Sequence, residues 1–267
     1  MKDFIVDRKN PAGNPHYLTF DILSKVPGLT HAIFTRHGGV SKPPYDSLNA
    51  AWNNGDAPES VRENFNRIHT ALGFQKLVTS FQVHGDKLNF VDEDGIASFE
   101  IRPPIMIAPS GDALATNLPG VGLVIKIADC QSIFLVDPET RIVANIHCGW
   151  RGSVQNIAGK TIELLSRRFG CNPSNILAAV GPSLGPCCAE FRNFRDELPP
   201  ELWTFQIRPQ YFDFWAITMH QLTSAGIAPG NIEICGRCTV CEKADFFSYR
   251  GERARGRMAA VIGWRTQ

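Results

Sequence analysis

The stretch "VGLVIKIADCQSIFLVDP", Val121 to Pro138, is almost continuously apolar and rich in β-branched residues. A run of that kind reads as strand buried on both faces, which places it at the centre of a sheet. "DPET" makes a turn, and "RIVANIH", Arg141 to His147, returns as the next strand before "CGWRG" bends the chain sharply. With Asp137 to Thr140 as a four-residue hairpin loop, Val136 faces Arg141, Leu135 faces Ile142, Ile133 faces Ala144 and Cys130 faces His147. Opposed residues share a face with Cβ atoms about 4.5–5.5 Å apart. A thiolate and an imidazole at that separation can share one tetrahedral metal, or work as a Cys–His nucleophile pair. Taken singly, Cys130 reads as a buried thiol and His147 as a hydrogen-bonded strand-end histidine. A one-residue bulge would send the two to opposite faces. By the same register Cys148 opposes Asp129 on the other face, away from this pair.

Other elements alternate around the hairpin. "DAPESVRENFNRIHTALGF" predicts a helix with Asp56 and Glu59 at capping-box spacing, Pro58 in its first turn and Gly73 ending it. Its apolar stripe is Val61, Phe65, Ile68 and Leu72. "LVTSFQVH" predicts a strand closing at Gly85-Asp86, and a helix runs from about Ser153 to Phe169. "NILAAVG" is a further strand, followed by the loop "PSLGPCC" and a helix near Tyr211 to Ala225. "FFSYRGERARGRMAAVIGW" predicts two strands around an Arg-rich turn. Helices and strands are intermixed, with hairpins beside strand–helix units. The expected class is therefore α/β or α+β with mixed sheets, one domain spanning residues 1–267.

Composition narrows the function classes. Among 267 residues, Lys plus Arg is 27 and Asp plus Glu is 26. That balance argues against a general electrostatic role on nucleic acid or membrane. "MKDFIVDRKNPAGNP" has no apolar core of signal-peptide length, and no run reaches the ~18 apolar residues of a membrane helix. The expected location is the cytoplasm. The eight cysteines are then expected to be metal ligands, catalytic or simply buried rather than disulfide-bonded.

A third ligand would decide between metal and nucleophile. His84, at the end of "TSFQVH" beside a turn, is one candidate, and His37 in "TRHGG" is another. His69 lies off the apolar stripe of its helix, and His16, His31 and His220 have no supporting context.

The pieces "FTRHGGVS", "SLN", "FQVHGD", "GDALAT", "ADCQSIFLVDP", "NIHCGWRG", "GPSLGPCC" and "FFSYRGERARGR" run over nearly the whole chain. In that order they resemble the laccase-domain family, also called the polyphenol oxidase or multicopper-oxidase-like family. Its members are described as purine nucleoside phosphorylases with adenosine deaminase activity. The resemblance implies phosphorolysis of adenosine, inosine and methylthioadenosine, with nucleoside and phosphate as the small-molecule partners. It implies one metal, usually zinc, held by His84, Cys130 and His147. It implies a sandwich of mixed sheets flanked by helices, shared with some bacterial-toxin cysteine hydrolases. The chain departs from the family in Cys148, where alanine is common, in Gln131-Ser132, where Leu-Pro is common, and in Gly251, where a second Arg is common. These bear on substrate preference and remove no ligand.

Three protein ligands with an open fourth position make a catalytic rather than a structural metal centre. Zinc lowers the pKa of water from 15.7 to about 7, which suits attack at C6 of adenosine with loss of ammonia. Phosphorolysis also needs a phosphate holder. Arg151, beside a helix N-terminus, is the candidate. Arg36 and Asn49 could position phosphate or ribose, with Arg250 and Arg257 as further candidates. Asp129 is either a group behind the ligands or a buried ion-pair partner.

A four-copper oxidase needs about ten histidines, and this chain has seven. A single copper on two His and one Cys stays open, although no Met stands at a suitable spacing for an axial ligand. A Cys–His or zinc amide hydrolase, acting in peptidoglycan precursor editing, is the other enzyme reading, with Cys130 as nucleophile and His147 as base. His84 discriminates, because a thiol hydrolase needs no second histidine on its sulfur. A non-catalytic metal protein is the third reading. "CGRCTVC" (Cys235, Cys238, Cys241) with Cys187-Cys188 suggests a second metal. Of the three in "CGRCTVC" the resemblance supplies only Cys238, so separate buried or part-exposed thiols are expected. The oligomeric state is not legible.

Overall fold

The computed structural model describes residues 14–253 and 255–266; the signal-peptide reading of the first residues falls mostly outside them. The described residues form β1 (Tyr17–Leu18), β2 (Leu29–Phe34), β3 (Lys76–Ser80), β4 (Leu88–Phe90), β5 (Glu100–Arg102), β6 (Ile105–Ala108), β7 (Ala113–Thr116), β8 (Val121–Ile127), β9 (Gln131–Asp137), β10 (Ile142–Cys148), β11 (Leu177–Val180), β12 (Gln206–Arg208), β13 (Tyr211–Phe212), β14 (Ile232–Ile234) and β15 (Met258–Trp264). One mixed sheet has the order β1-β2-β15-β8-β3-β6-β5 and the other β14-β11-β9-β10-β7-β4, while β12 and β13 form a small ribbon.

The two sheets stack into four layers. Between them lie Ile33, Leu123, Ile125, Phe134, Val143, Ala260 and Ile262, contributed by both sheets. The helix Pro58–Leu72 covers the outer face of the first sheet, with Val61, Phe65, Ile68 and Leu72 against Phe34, Leu77 and Val124. The helices Ile157–Phe169 and Phe214–Ser224 cover the second, setting Ile162, Leu165 and Leu222 against Ile133, Leu135 and Ile146. Every residue of β9 and β10 is buried. Their runs are continuously apolar because both faces are covered. No helix of the described residues is long and apolar enough to cross a membrane.

Several boundaries differ from the sequence expectation, each for a local reason. The run Val121–Pro138 is not one strand but two, and they belong to different sheets. β8 is fourth of seven and β9 third of six, so each is central. Three residues, Ala128-Asp129-Cys130, carry the chain across, and Asp129 takes a left-handed φ of 78°.

The β9–β10 hairpin is two residues off the expected register. Val136 faces Val143 and Ser132 faces His147. Asp137 stays in the strand because its Oδ1 accepts the N–H of Glu139 at 2.9 Å, which closes the turn one step later. A two-residue slip keeps every face, so His147 still points between the sheets and Cys148 still points the other way, into the helical layer.

"LVTSFQVH" stops at Ser80 as a strand. Gln82 takes over with its side chain, accepting the Lys126 N–H (2.9 Å) and donating to the Lys126 carbonyl (2.7 Å) as a ladder residue would. The main chain of 81–85 is thereby released into a loop. The helix from Ser153 is in fact two helices, Trp150–Val154 and Ile157–Phe169, broken at Asn156 (φ 53°), whose side chain caps the second through Gly159 N–H. Gly73 ends the Pro58 helix in a left-handed cap as expected. Asp56 does not cap that helix; Ala57 is its N-cap, while Asp56 accepts from Ser41 and Asn49. The helix near Tyr211 begins at Phe214, capped by Asp213, and Tyr211-Phe212 is strand. The first of the two C-terminal strands is instead one helical turn, Tyr249–Glu252, capped by Ser248.

Candidate metal centre

The crossover corner decides where chemistry can sit. Cys130 is the residue before β9, His147 the second-last of β10, and His84 lies in the loop released after β3. All three reach the C-terminal ends of β3, β8 and β10, where a cavity of about 820 Å³ opens. His84 Nε2 is 4.0 Å from Cys130 Sγ. The two imidazoles stand edge to face with centroids 4.9 Å apart. The three donor atoms all lie within 4.8 Å of one another. Bonds of about 2.3 Å to sulfur and 2.0 Å to nitrogen put tetrahedral donors roughly 3.3–3.6 Å apart, so a small inward movement seats one ion. The donor chemistry and spacing fit a metal.

Asp112 builds this arrangement, and the sequence reading passed over it inside "GDALAT". It is fully buried. Its Oδ1 meets His147 Nδ1 at 2.8 Å and accepts the backbone N–H of His84 at 2.9 Å, while Oδ2 accepts those of Val83 and Gly85. One carboxylate thus orients one imidazole through its ring and holds the loop of the other through its amides. With Nδ1 of His147 engaged, Nε2 is left for the metal. His84 has φ 59°, a conformation that a non-glycine residue keeps only where its surroundings hold it.

The pKa shifts describe the same geometry. Burial alone would raise the Cys130 thiol, but His147 and His84 outweigh it and bring it down to about 6. Burial would lower His147, but Cys130 and Asp112 outweigh it and push it up to about 9. Burial also opposes ionisation of Asp112, yet His147 and the backbone amides hold its pKa below the usual value. Each member of the pair thus favours the charged form of the other, thiolate beside imidazolium. Cys148, by contrast, is pushed up to about 12 by burial and is inert. Gly149 completes the fit: a Cβ there would lie 2.9 Å from Cys130 Sγ and 3.2 Å from His84 Cδ2.

Around the donors the cavity carries Arg102, Lys126, Arg151, Arg250, Arg255 and Arg257 against a single acid, Asp129. Arg151 lies 4.4 Å over the Trp150 ring, and among the described residues no carboxylate pairs with it. Arg250 Nη1 donates to Glu190 O and its backbone N–H to Asp129 Oδ2. Lys126, read from sequence only as part of a strand, is half-buried with Nζ on Thr79 Oγ1 and Ser80 O; desolvation lowers it to about 8. No pattern marked it, since one lysine in an apolar run looks like a strand-face exception. Asp129 is the holder of the corner, accepting Thr239 Oγ1 and Arg250 N–H.

Two expected substrate residues are elsewhere. The Arg36 guanidinium is spent on Asp46 O, Lys243 O and Glu252, beside a separate shallow depression. Asn49 is fully buried, its amide engaged with Ala51, Asp56 and the Arg257 N–H. Neither faces the cavity; Asn49 reaches it only by fixing the backbone of Arg257. His37 sits beside Asp245 at 3.5 Å, not among the donors.

Residues 30–265 match the family model described as multi-copper polyphenol oxidoreductase laccase. The chain belongs to this laccase-like family. Among relatives of this laccase-like chain, purine nucleoside phosphorylase YlmD of Geobacillus stearothermophilus is 37% identical over 90% of this chain and 92% of its own. Purine nucleoside phosphorylase YfiH of Escherichia coli is 34% identical over 88% and 93%. A crystal structure of the Geobacillus YlmD superposes with a TM-score of 0.82 at 33% identity, covering 96% of this chain and 98% of that one. The Bacillus licheniformis hypothetical protein YfiH superposes at 0.86 with 28% identity, covering 99% and 100%.

Proposed function

We propose that the chain is a zinc-dependent purine nucleoside phosphorylase that cleaves adenosine, inosine or methylthioadenosine with phosphate, and that its pocket also deaminates adenosine. The observation that carries this reading is a three-donor metal set opening into a cavity whose walls hold six cations and one acid. The names of the relatives support the same activity. We place the reaction in the cytoplasm, with nucleoside and phosphate as its small-molecule partners.

A zinc ion held by His84, Cys130 and His147 would supply Lewis acidity at the floor of the cavity. The remaining roles belong to side chains. In phosphorolysis the bond from C1′ to N9 breaks, phosphate adds to C1′ from the opposite face, and positive charge passes over the ribose. Arg151, paired with no carboxylate among the described residues and stacked on Trp150, holds phosphate as a planar fork. Phe81 and Tyr249 line the mouth at 46% and 51% exposure, flat apolar surfaces on which a purine stacks. Lys126 uses two of its three N–H groups on Thr79 and Ser80 and keeps one for an acceptor on base or phosphate. His84 is exposed and Cys130 half-buried, so the donors face the cavity rather than closing on themselves.

The row Asp112–His147–Cys130 would also serve a thiol hydrolase. His84 favours the metal, because such an enzyme has no task for an imidazole 4.0 Å from its nucleophile. Zinc-loaded protein incubated with adenosine should yield adenine and ribose 1-phosphate only when phosphate is present, and inosine in either case. Cys130→Ala should abolish both, and Arg151→Ala should lower phosphorolysis about tenfold or more while sparing deamination. Equal rates for wild type and Cys130→Ala would sink the reading and bring amide hydrolysis forward.

A further inference from the structure

Outside this centre the fold gathers a second set of soft donors. Four of the eight cysteines, from segments some fifty residues apart, place their sulfurs within 4.8 Å of one another. We propose that Cys187, Cys188, Cys238 and Cys241 form a tetrathiolate zinc site that clips the "GPCC" loop to the "CTVC" loop.

The spacing suits the ion. Cys241 Sγ lies 3.6 Å from both Cys187 Sγ and Cys188 Sγ. Four sulfurs at about 2.3 Å from one zinc stand about 3.8 Å from each other, while a disulfide would require about 2.05 Å. The backbone prepares the site. Ser183 N–H donates to Arg237 O and Thr239 N–H to Ser183 O, zipping the two loops together. The Cys188 N–H turns back on Gly185 O, which swings both adjacent thiols toward the partner loop. Cys238 is buried at the base, its sulfur facing the N–H groups of Gly185, Val240 and Cys241, the donors that a metal-bound thiolate needs. At Gly185 a Cβ would lie 2.9 Å from Cys238 Cβ and 3.2 Å from its sulfur, so only glycine lets the loops close. Cys187 and Cys241 are exposed and give the metal its way in.

Cys235, the first cysteine of "CGRCTVC", is not part of the set. It is buried in the core between the sheets. The useful pattern is C-x2-C with a distant adjacent pair, and it becomes visible only when β11 and β14 lie side by side.

Four ligands close the coordination sphere, so this centre is structural and not catalytic. No electron moves on binding: each bound thiol releases its proton to solvent. Its effect on the cavity is direct. Thr239 donates to Asp129 and Leu184 N–H to the Asp129 carbonyl, so the clipped loops grip the residue next to Cys130. Glu190, just past the clip, holds Arg250 in the cavity wall.

Metal content of zinc-loaded protein, purified under reducing conditions, tests the proposal. Two equivalents are expected for the wild type, one for Cys130→Ala and one for Cys187→Ser/Cys241→Ser, which changes only exposed ligands. Cobalt in place of zinc in Cys130→Ala should give intense sulfur-to-cobalt charge-transfer bands and tetrahedral d–d bands, a readout that needs no change in the cluster. Alkylation of Cys130→Ala should label four fewer thiols with zinc than after chelation. One equivalent in the wild type and none in Cys130→Ala would overturn the proposal. So would a metal-free cluster two hydrogens lighter, the mark of a disulfide.

Discussion

His31 carries the clearest pH signature of any single side chain. It is buried at 5% exposure between the sheets, and its Nε2 accepts the Phe20 N–H at 2.8 Å. Desolvation drops its pKa to about 4, against about 6.5 in the unfolded chain. Below about pH 6.5 the unfolded state therefore binds the extra proton and the folded state does not, so stability falls as pH falls towards 4. The loss from this one group reaches about 3 kcal/mol. His31→Gln keeps an acceptor for Phe20 without a titrating ring. Its unfolding free energy, followed by urea denaturation from pH 7 to 4, should show a shallower acid limb than the wild type. An unchanged slope would mean that other groups set the acid limb. Asp112 acts at the same scale in another way: its four side-chain interactions are with the His147 ring and with the backbone amides of Val83, His84 and Gly85, and only the tertiary contact reveals them.

At the scale of elements, the site is made where strands end. β8 leaves one sheet, β9 enters the other, and β10 finishes opposite them, so Cys130 and His147 meet at a corner rather than on a flat ladder. Gly149 opens the next turn with φ −81° and ψ −179°, backbone that any residue adopts. Gly149→Ala is therefore expected to fold, with stability changed by less than about 1 kcal/mol. Its methyl would crowd Cys130 and His84, and metal affinity at their centre should fall roughly 10–100-fold, the range carried by contacts that orient ligands. Chelator competition alongside thermal unfolding separates the two effects. Wild-type affinity would show that the sulfur moves aside freely.

At the scale of the whole molecule, the packed layer between the sheets holds the corner in place. Phe134 lies at its centre, edge-on to Phe20 and His31 with ring centroids 6.2 Å from each. Asn145 reaches across the same layer, donating to the carbonyls of Leu123 and Ala260 at 2.9 Å each. Phe134→Ala should cost about 3–5 kcal/mol, measured by denaturant unfolding of the metal-free protein so that ligand linkage does not mask it. A loss under about 1 kcal/mol would mean that the layer collapses around the gap.

The sequence by itself determined what depends on neighbours along the chain. Continuous apolar runs marked buried strands, the hairpin pairing across Asp137 to Thr140 set which residues share a face, and Gly73 ended a helix. Those faces were enough to put Cys130 and His147 on one side and Cys148 on the other, even with the register two residues out, because side-chain direction repeats every two residues. The tertiary structure decided everything that depends on distant segments sharing space. It split the long apolar run between two sheets, tied His84 to His147 through Asp112, used up Arg36 and Asn49 in internal hydrogen bonds, and turned Lys126 into the cavity. It also drew four cysteines from two separate loops to one point. A side chain's type is local, whereas its partners are chosen by packing, and chemistry at a site belongs to the partners.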